Sequence, residues 1–288
     1  MEIGAALGGS GEGIAGLPTE LLLGLSVMLG GFLAGVLGGF FGVGGGIVIV
    51  PMLFHVFGFF DVDDAVRMHQ AVATSLATII VTSIRSVDRH ARHGAVDGSI
   101  LRAWGLPIVA GVAAGSLAAG ALAGPVLSAV FVVLALLMAA HLAFGREAWR
   151  LGDGLPANPW RSLQGAGIGF FSTLVGVGGG TFGISLMTLY GVAIHRAVGT
   201  ASGLGLIIGI PATLGLIAVG WGEPGRAPFS VGFVNLLAFA LIVPMTMLSV
   251  PIGVRLAHAR SRAVLRRAFA VFLTLTALSM AADLLTGR

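Results

Sequence analysis

Long apolar runs with very few charges are the feature that most restricts what this chain can fold into. Only 10% of the residues are charged, whereas 56% are hydrophobic, and a soluble domain carries about 25% charged residues. Because such a chain cannot present a wet surface, lipid is its expected solvent. In lipid, every backbone N–H and C=O group must be satisfied within the protein, which favours helices over open strands. The sequence therefore predicts an all-α polytopic membrane protein.

Ten apolar segments are visible, five in each half of the chain. A helix that spans a bilayer needs about 20 apolar residues, and most of the segments approach that length. The sequence predicts a tail at 1–17, a first membrane repeat at 18–145, a linker at 146–161 and a second membrane repeat at 162–288. The ten segments run over 18–41, 44–60, 67–87, 99–123, 126–145, 162–176, 179–194, 197–220, 229–257 and 264–285.

The arginines predict an orientation in the membrane. All 16 basic residues are arginine, and ten passages would place 13 of them on one side, leaving only Arg67, Arg226 and Arg288 on the other. Cytoplasmic loops carry the excess of positive charge in membrane proteins. We therefore expect a multi-pass protein of the cytoplasmic (inner) membrane with both termini extracytoplasmic.

The two halves contain the same motifs in the same order. Gly-Val-Gly-Gly-Gly occurs at 42–46 and again at 176–180, and His-Gln-Ala-Val-Ala-Thr at 69–74 is answered by His-Arg-Ala-Val-Gly-Thr at 195–200. An odd number of segments in each half reverses the orientation of the second half. This pattern predicts two inverted repeats of about five helical segments each, a plan that many secondary transporters share.

Each glycine-rich motif precedes a short apolar segment, at 47–60 and 181–194. Fourteen residues make a helix of about 21 Å, which is shorter than the bilayer core of about 30 Å. These segments therefore read as broken or re-entrant half-helices. Their N-termini would direct unsatisfied N–H groups and positive dipole ends into the break, where an anion can bind without a formal positive charge. The predicted substrate-binding residues are Gly44, Gly45, Gly46, Gly178, Gly179, Gly180 and Thr181. Close helix packing is the alternative role for the glycines.

Hydroxyl side chains follow both short segments. Thr74 and Ser75 lie in the first half, and Thr200 and Ser202 lie in the second. They would line the same cavity and contact the substrate. Alternatively, they would form hydrogen bonds between helices without touching a substrate.

Polar side chains at the starts of the same segments are candidates for the mouths of a transport path. Arg67, His69 and Gln70 are expected near the outer mouth, and His195 and Arg196 near the inner one. They would steer an anion or gate its passage. The alternatives are interfacial positions for the histidines and an ion pair of Arg67 with Asp63 or Asp64.

Several chemistries lack their usual residues in this sequence. No acidic residue lies in the middle of a segment, whereas proton pumps and cation carriers usually need buried carboxylates. Cysteine is absent, and no motif for ATP hydrolysis, proteolysis or metal catalysis is present. We therefore expect an anion as substrate, no catalytic residues, no metal, no cofactor and no nucleic-acid partner.

The paired Gly-Val-Gly-Gly-Gly motifs, the Ala-Val-Ala-Thr-Ser-Leu stretch at 71–76 and its echo at 197–202 resemble the TauE/SafE family of sulfite exporter-like permeases. The resemblance covers nearly the whole chain. It implies transport of sulfite, an organosulfonate or a related organosulfur anion without ATP.

These observations predict a secondary transporter of a small sulfur-containing oxyanion that works by alternating access. The alternatives are an anion channel and an intramembrane enzyme that acts on an anionic lipid or a phosphate. The identity of the anion, the direction of transport, a coupling proton or sodium ion and a homodimeric assembly are left open.

Overall fold

The computed structural model describes residues 19–41, 45–60, 62–144, 151–152, 154–259 and 262–286. The predicted tail at 1–17 and part of the predicted linker therefore lie outside the described residues. The described residues form α1 (Thr19–Phe41), α2 (Gly46–Phe59), α3 (Asp64–Arg92), α4 (Gly98–Ala121), α5 (Gly124–Phe144), α6 (Trp160–Val175), α7 (Gly180–Leu189), α8 (Ile194–Val219), β1 (Ser230–Val231), β2 (Val234–Asn235), α9 (Leu236–Ala259) and α10 (Arg262–Thr286).

This architecture confirms the prediction of an all-α polytopic membrane protein. Within the described residues, six helices are long and apolar enough to cross a bilayer, namely α1, α3, α4, α5, α8 and α9. The predicted half-helices are also present, because α2 has 14 residues and α7 has 10. They begin at Gly46 and Gly180, one residue before the predicted starts at Ile47 and Thr181.

Glycines allow two pairs of helices to pack with their backbones close together. A Cβ atom on Gly35 of α1 would lie 2.7 Å from the Thr246 Cα atom of α9, and one on Gly169 of α6 would lie 3.0 Å from the Val112 nitrogen of α4. Gly35 and Gly169 are 134 positions apart, as are Gly46 and Gly180. The α1–α9 and α4–α6 pairs thus exchange when the two halves are superimposed by sequence.

The helix ends gather at two ends of the bundle. At one end, Arg196 at the start of α8 pairs with Asp97 before α4. We call this the basic end, because it carries Arg85, Arg89, Arg92, Arg102, Arg161, Arg196 and Arg255. At the other end, the Asp63 N–H donates to the Gly225 carbonyl between α8 and α9. We call this the loop end.

The directions of the helices agree with the predicted plan. Helix α3 runs from the loop end to the basic end, whereas α8 runs the opposite way, since its start contacts Ala95 and its later residue Gly209 contacts Leu76. Two halves of opposite orientation would produce this arrangement. The inverted repeat and the cytoplasmic position of the basic end stay predictions.

The observed helix boundaries differ from the predicted ones by up to seven residues, and the largest difference is at the start of α9. The segment at 229–257 was expected to be helical throughout, but α9 begins only at Leu236. Before it, β1 and β2 pair antiparallel, with Ser230 opposite Asn235. Positive φ angles of 61° at Phe229 and 55° at Gly232 are incompatible with a continuous helix. The hairpin's backbone N–H groups at the loop end include those of Phe233 and Asn235, which donate to the Leu216 carbonyl of α8 and the Thr74 hydroxyl of α3.

Candidate functional site

The two glycine-rich loops meet near the middle of α3. The Ser75 hydroxyl donates to the Gly176 carbonyl at 2.7 Å and lies 3.4 Å from the Gly46 carbonyl. A Cβ atom on Gly46 would lie only 2.5 Å from the Gly176 oxygen. Gly46 and Gly176 therefore lie side by side, and Ser75 acts as a bridge between them. Gly44 lies outside the described residues.

A cavity of about 520 Å³ leads from the basic end towards these loops. Its outer part is lined by the exposed residues Arg85, Arg89 and His195. Its inner part reaches Ala34 of α1 and Gly180 at the start of α7, both of which are buried. The full lining consists of Ala34, Gly35, Gly38, Gly39, Thr82, Ser83, Arg85, Ser86, Arg89, His90, His93, Ala95, Gly180, His195, Ala201, Ser202, Gly205, Met247, Val250 and Pro251.

The electrostatic character of the cavity is cationic. Among the residues that the structure describes, its lining contains two arginines and three histidines but no aspartate or glutamate. The first N–H groups of a helix have no partner within the helix and carry a partial positive charge. Because Gly180 is the first residue of α7 and lines the cavity, the inner part of the cavity adds a positive dipole end to the positive rim. Such a cavity attracts anions.

Hydroxyl groups form one wall of the cavity. The Ser86 hydroxyl donates to the Ser202 oxygen at 3.1 Å, and the Thr82 hydroxyl donates to the Ile79 carbonyl at 3.1 Å. Ser83 is only 4% exposed. In the part of the chain that the structure describes, its hydroxyl makes no hydrogen bond to protein. The wall therefore offers a hydroxyl to a molecule inside the cavity.

The predicted glycines divide between the cavity and the packed core. Gly180 lines the cavity, whereas Gly45, Gly46, Gly178 and Gly179 do not. Gly45 instead approaches the Ala34 carbonyl, Gly178 faces Ile79, and Gly179 faces Leu204. The hydroxyl of the neighbouring residue Thr181 is buried without a hydrogen-bond partner among the described residues, and it does not line the cavity.

The two predicted threonines hold loops in place. The Thr74 hydroxyl accepts a hydrogen bond from the Asn235 N–H at 2.9 Å, and the Thr200 hydroxyl accepts one from the Asp97 N–H at 2.9 Å. Asn235 and Asp97 cap the starts of α9 and α4, since their side-chain oxygens accept from the N–H groups of Ala238 and Ser99. Equivalent positions of the two halves thus have the same structural role. Of the four predicted hydroxyl residues, Ser202 lines the cavity.

The polar residues predicted at the outer mouth are packed against protein. Gln70 is fully buried, accepts from the Ala227 N–H and donates to the Ser230 hydroxyl. His69 is 3% exposed and lies 2.9 Å from the Ala119 carbonyl, to which its Nε2–H donates. Arg67 pairs with Asp64 at 2.7 Å and lies over the Phe54 ring. These contacts close the loop end.

The residues predicted at the inner mouth lie at the basic end, where they are exposed. His195 lines the cavity. Arg196 pairs with Asp97 at 2.7 Å, so its charge helps to fix the connection before α4. The Ser99 hydroxyl holds the pKa of Asp97 below its usual value, assisted by the Ser99 and Ile100 N–H groups and the Arg196 charge. Asp97 therefore stays ionised beside the mouth of the cavity.

Sequence reasoning missed most of the cavity wall. The missed residues are Thr82, Ser83, Arg85, Ser86, Arg89, His90 and His93, all but the last within α3. The signal that would have found them is helical periodicity, because Ser75, Thr82, Ser86, Arg89 and His93 recur every three to seven positions on one face of a helix. Among the described residues, no cluster of three or more histidines or acidic residues could hold a metal ion.

Known proteins resemble this chain over most of its length. Residues 27–280 match the family model described as sulfite exporter TauE/SafE. The chain is 30% identical to a "Probable membrane transporter protein" of Haemophilus influenzae, over 89% of this chain and 97% of that one. It is 28% identical to a probable membrane transporter of Methanocaldococcus jannaschii, over 78% of this chain and 83% of that one. No solved structure matches the chain.

Proposed function

The chain is a membrane transporter that belongs to the TauE/SafE sulfite exporter family, and from this premise we propose that it is a secondary transporter of a small sulfur-containing oxyanion. Sulfite and organosulfonates are the proposed substrates. The observation that carries the proposal is the cavity of about 520 Å³, which has a cationic rim and ends at the start of α7.

In the proposed path, charged side chains first attract the anion and N–H donors deeper in the cavity then bind it. Arg85 and Arg89 attract the anion at the basic end, where water screens their charges. Deeper in the cavity the dielectric constant is lower, so the partial charge at the start of α7 acts more strongly. An oxyanion gains N–H donors there and needs no buried counter-ion, because helix N-termini bind anions in this way.

Alternating access is the proposed mechanism. The cavity opens at the basic end, while Gln70 and its partners Ala227 and Ser230 close the loop end. In the alternative conformation, the Gln70 contacts would break and the loop end would open. The basic end, where Arg196 contacts Asp97, would close. The similar arrangement of the two halves supports an exchange of this kind, in which each half takes the role of the other.

The proposed orientation follows from the segregation of charge. The basic end is placed in the cytoplasm, as the positive-inside rule requires. Both termini are then extracytoplasmic, and the described conformation is open to the cytoplasm. No catalytic group is assigned, and the protein is proposed to act as a transporter without enzyme activity.

Flux in proteoliposomes tests this proposal. Sulfite, sulfate, thiosulfate, taurine, sulfoacetate, phosphate and chloride are supplied in turn, with and without sodium and pH gradients. We expect saturable uptake and counterflow for one or more of the sulfur compounds. Flux that does not saturate and shows no counterflow would instead identify an anion channel, and product formation by the purified protein would identify an enzyme. Folded protein that moves no member of the panel would refute the anion site.

The role of the rim is tested by matched arginine variants. The double variant Arg85→Gln, Arg89→Gln removes the two rim charges, whereas Arg102→Gln removes a charge of the basic end that does not line the cavity. We expect the double variant to raise the KM for the transported anion about two- to fivefold at low salt and less at high salt, because exposed charges are screened. Equal effects of the double variant and Arg102→Gln would refute a specific role for the rim.

A further inference from the structure

Ser83 is a hydroxyl residue of the cavity wall that is almost completely buried. Only 4% of the Ser83 surface is exposed to solvent. Thr82 donates to the Ile79 carbonyl, and Ser202 donates to the Gly199 carbonyl. By contrast, the described part of the chain provides no partner for the Ser83 hydroxyl. Because Ser83 lines the cavity, its hydroxyl is available to a molecule inside the cavity.

Gly205 of α8 provides the space that the Ser83 hydroxyl occupies. A Cβ atom on Gly205 would overlap the Ser83 oxygen. The same glycine lies against the second glycine loop, because a Cβ on Gly178 would be 3.7 Å from the Gly205 Cα atom. Ser83, Gly205 and Gly180 line one cavity. The hydroxyl therefore lines the same cavity as the start of α7, whose first N–H groups have no partner within the helix.

The first glycine loop has no equivalent arrangement. Gly45 and Gly46 do not line the cavity, and both are packed against carbonyl oxygens, of Ala34 and Gly176 respectively. A carbonyl oxygen repels an anion. Among the described residues, the donors that face the cavity thus come from α7 and α3.

We propose that the transported anion binds between the first turn of α7 and the Ser83 hydroxyl, and that Ser83 selects oxyanions over halide ions. The proposal rests on the anion transport proposed above and assigns its binding site to the second loop. The oxygens of a sulfite or sulfonate group are spread around the sulfur, so that one accepts from the Ser83 hydroxyl while others accept from α7 N–H groups. A spherical halide offers a single centre and gains less from donors on two different helices.

Two pairs of matched variants test the assignment. Ser83→Ala removes the hydroxyl, and Ser116→Ala removes another buried hydroxyl without a partner, on α4 away from the cavity. Gly205→Ala would push the Ser83 oxygen aside. Its control is Gly215→Ala, since a Cβ on Gly215 would lie 2.5 Å from the Ser116 oxygen. Thermal unfolding midpoints verify that each variant is folded.

Flux of sulfite, thiosulfate, taurine, sulfoacetate and chloride is measured for all four variants. Loss of one hydrogen bond to a charged ligand corresponds to about a tenfold or larger change in affinity. We expect Ser83→Ala and Gly205→Ala to raise the KM for the transported sulfur compound about tenfold and to leave chloride flux nearly unchanged. The two control variants should match the wild type.

The possible failures are distinguishable. If the wild type transports none of the sulfur compounds, the proposed function fails and this assignment fails with it. If the wild type transports one of them and Ser83→Ala has the wild-type KM, only this assignment is refuted. An equal loss of sulfur anion and chloride flux in Ser83→Ala would refute the selective role. If only Gly205→Ala folds poorly, Ser83→Ala decides the question.

Discussion

The two glycine-rich loops have the same five-residue sequence but different surroundings. Gly45 has a φ of 76° and precedes α2, whereas Gly179, its counterpart before α7, has a φ of −58°. Gly45 and Gly46 of the first loop are packed against Ala34 of α1 and Gly176 of the second loop, respectively. Gly180, the last residue of the second motif, lines the cavity. The same sequence motif is therefore packed against protein before α2 and lines a cavity before α7. A transporter that alternates between two conformations needs a motif that tolerates both.

The ends of the bundle differ in the same way. At the loop end, Thr74 accepts the Asn235 N–H in a buried hydrogen bond. At the basic end, the equivalent bond between Thr200 and the Asp97 N–H is only partly buried. The same hydrogen bond is therefore buried at the loop end, which is closed, and partly buried at the basic end, where the cavity opens. Substitutions in the two halves and at the two ends should have unequal effects, and four comparisons test this expectation.

The largest difference is expected between Gly46→Leu and Gly183→Leu. A side chain at Gly46 would meet the Gly176 carbonyl at 2.5 Å and the Ile79 Cδ1 atom at 2.8 Å, so backbone must move. At Gly183 of α7, the near neighbour is the end of the flexible Leu204 side chain. We expect Gly46→Leu to cost about 3 kcal/mol or more and Gly183→Leu about 1 kcal/mol. Yield of folded protein and thermal unfolding in detergent measure both, and equal losses would contradict the packed state of the first loop.

A smaller difference is expected between Gly45→Ala and Gly179→Ala. Both would crowd a neighbour, because a Cβ would lie 2.7 Å from the Ala34 oxygen at Gly45 and 2.5 Å from the Leu204 Cβ at Gly179. Only Gly45 has a left-handed conformation, which costs a residue with a Cβ atom about 1–2 kcal/mol. Gly45→Ala should therefore unfold at the lower temperature. The opposite order would show that crowding outweighs backbone strain here.

The threonine pair distinguishes the dry end from the wet end. Thr74→Val keeps the shape but leaves the buried Asn235 N–H without its acceptor, at a cost of about 1–3 kcal/mol. Thr200→Val also removes an acceptor, but its bond to the Asp97 N–H is only partly buried, so water can replace the acceptor and the cost should lie below about 1 kcal/mol. Thermal unfolding of both variants provides the comparison. A larger loss for Thr200→Val would mean that the basic end is the closed one.

The smallest effect is expected from pH at the two helix caps. The Ser99 hydroxyl, adjacent N–H groups and Arg196 keep the pKa of Asp97 below its unfolded value. The stabilisation by Asp97 is therefore complete above the unfolded pKa of about 3.9 and is lost as the pH falls through the lower folded value. Asn235, the equivalent cap, does not titrate. Asp97→Asn should remove part of the destabilisation of the protein below about pH 4, while Asp88→Asn in an exposed ion pair with Arg92 should not. Unfolding midpoints measured against pH provide the test.

Much of the fold could be predicted because it depends on local properties of the chain. Apolar runs predicted ten helices, and the described residues contain ten. Four glycines in five residues predicted the breaks before α2 and α7, since glycine is a poor helix former. The hairpin at 230–235 was missed, because its residues are as apolar as the helix that follows and only the Phe229 and Gly232 backbone angles reveal the turn.

The site was harder to predict, because the sequence does not distinguish a hydroxyl that contacts a substrate from one that bonds to the backbone. Thr74 and Thr200 follow the glycine loops in equivalent positions, which predicted a shared role. The structure confirms equivalence but gives both hydroxyls a backbone partner. Ser83 has no repeated counterpart in sequence that would single it out. Its burial and the space beside Gly205 decide its importance, and both depend on α8.

The sequence by itself determined the solvent, the class of fold and the number of helices found among the described residues. Hydropathy and backbone hydrogen bonding act within each segment, so they can be read without knowledge of the neighbours. Only the tertiary structure decided that Gly180 lines the cavity while Gly45 and Gly46 are packed, which end of the bundle is closed and which contacts the Thr74, Thr200 and Ser83 hydroxyls make. Those properties arise from contacts between helices far apart in sequence, such as α3 with α8, and two identical motifs differ once their neighbours differ.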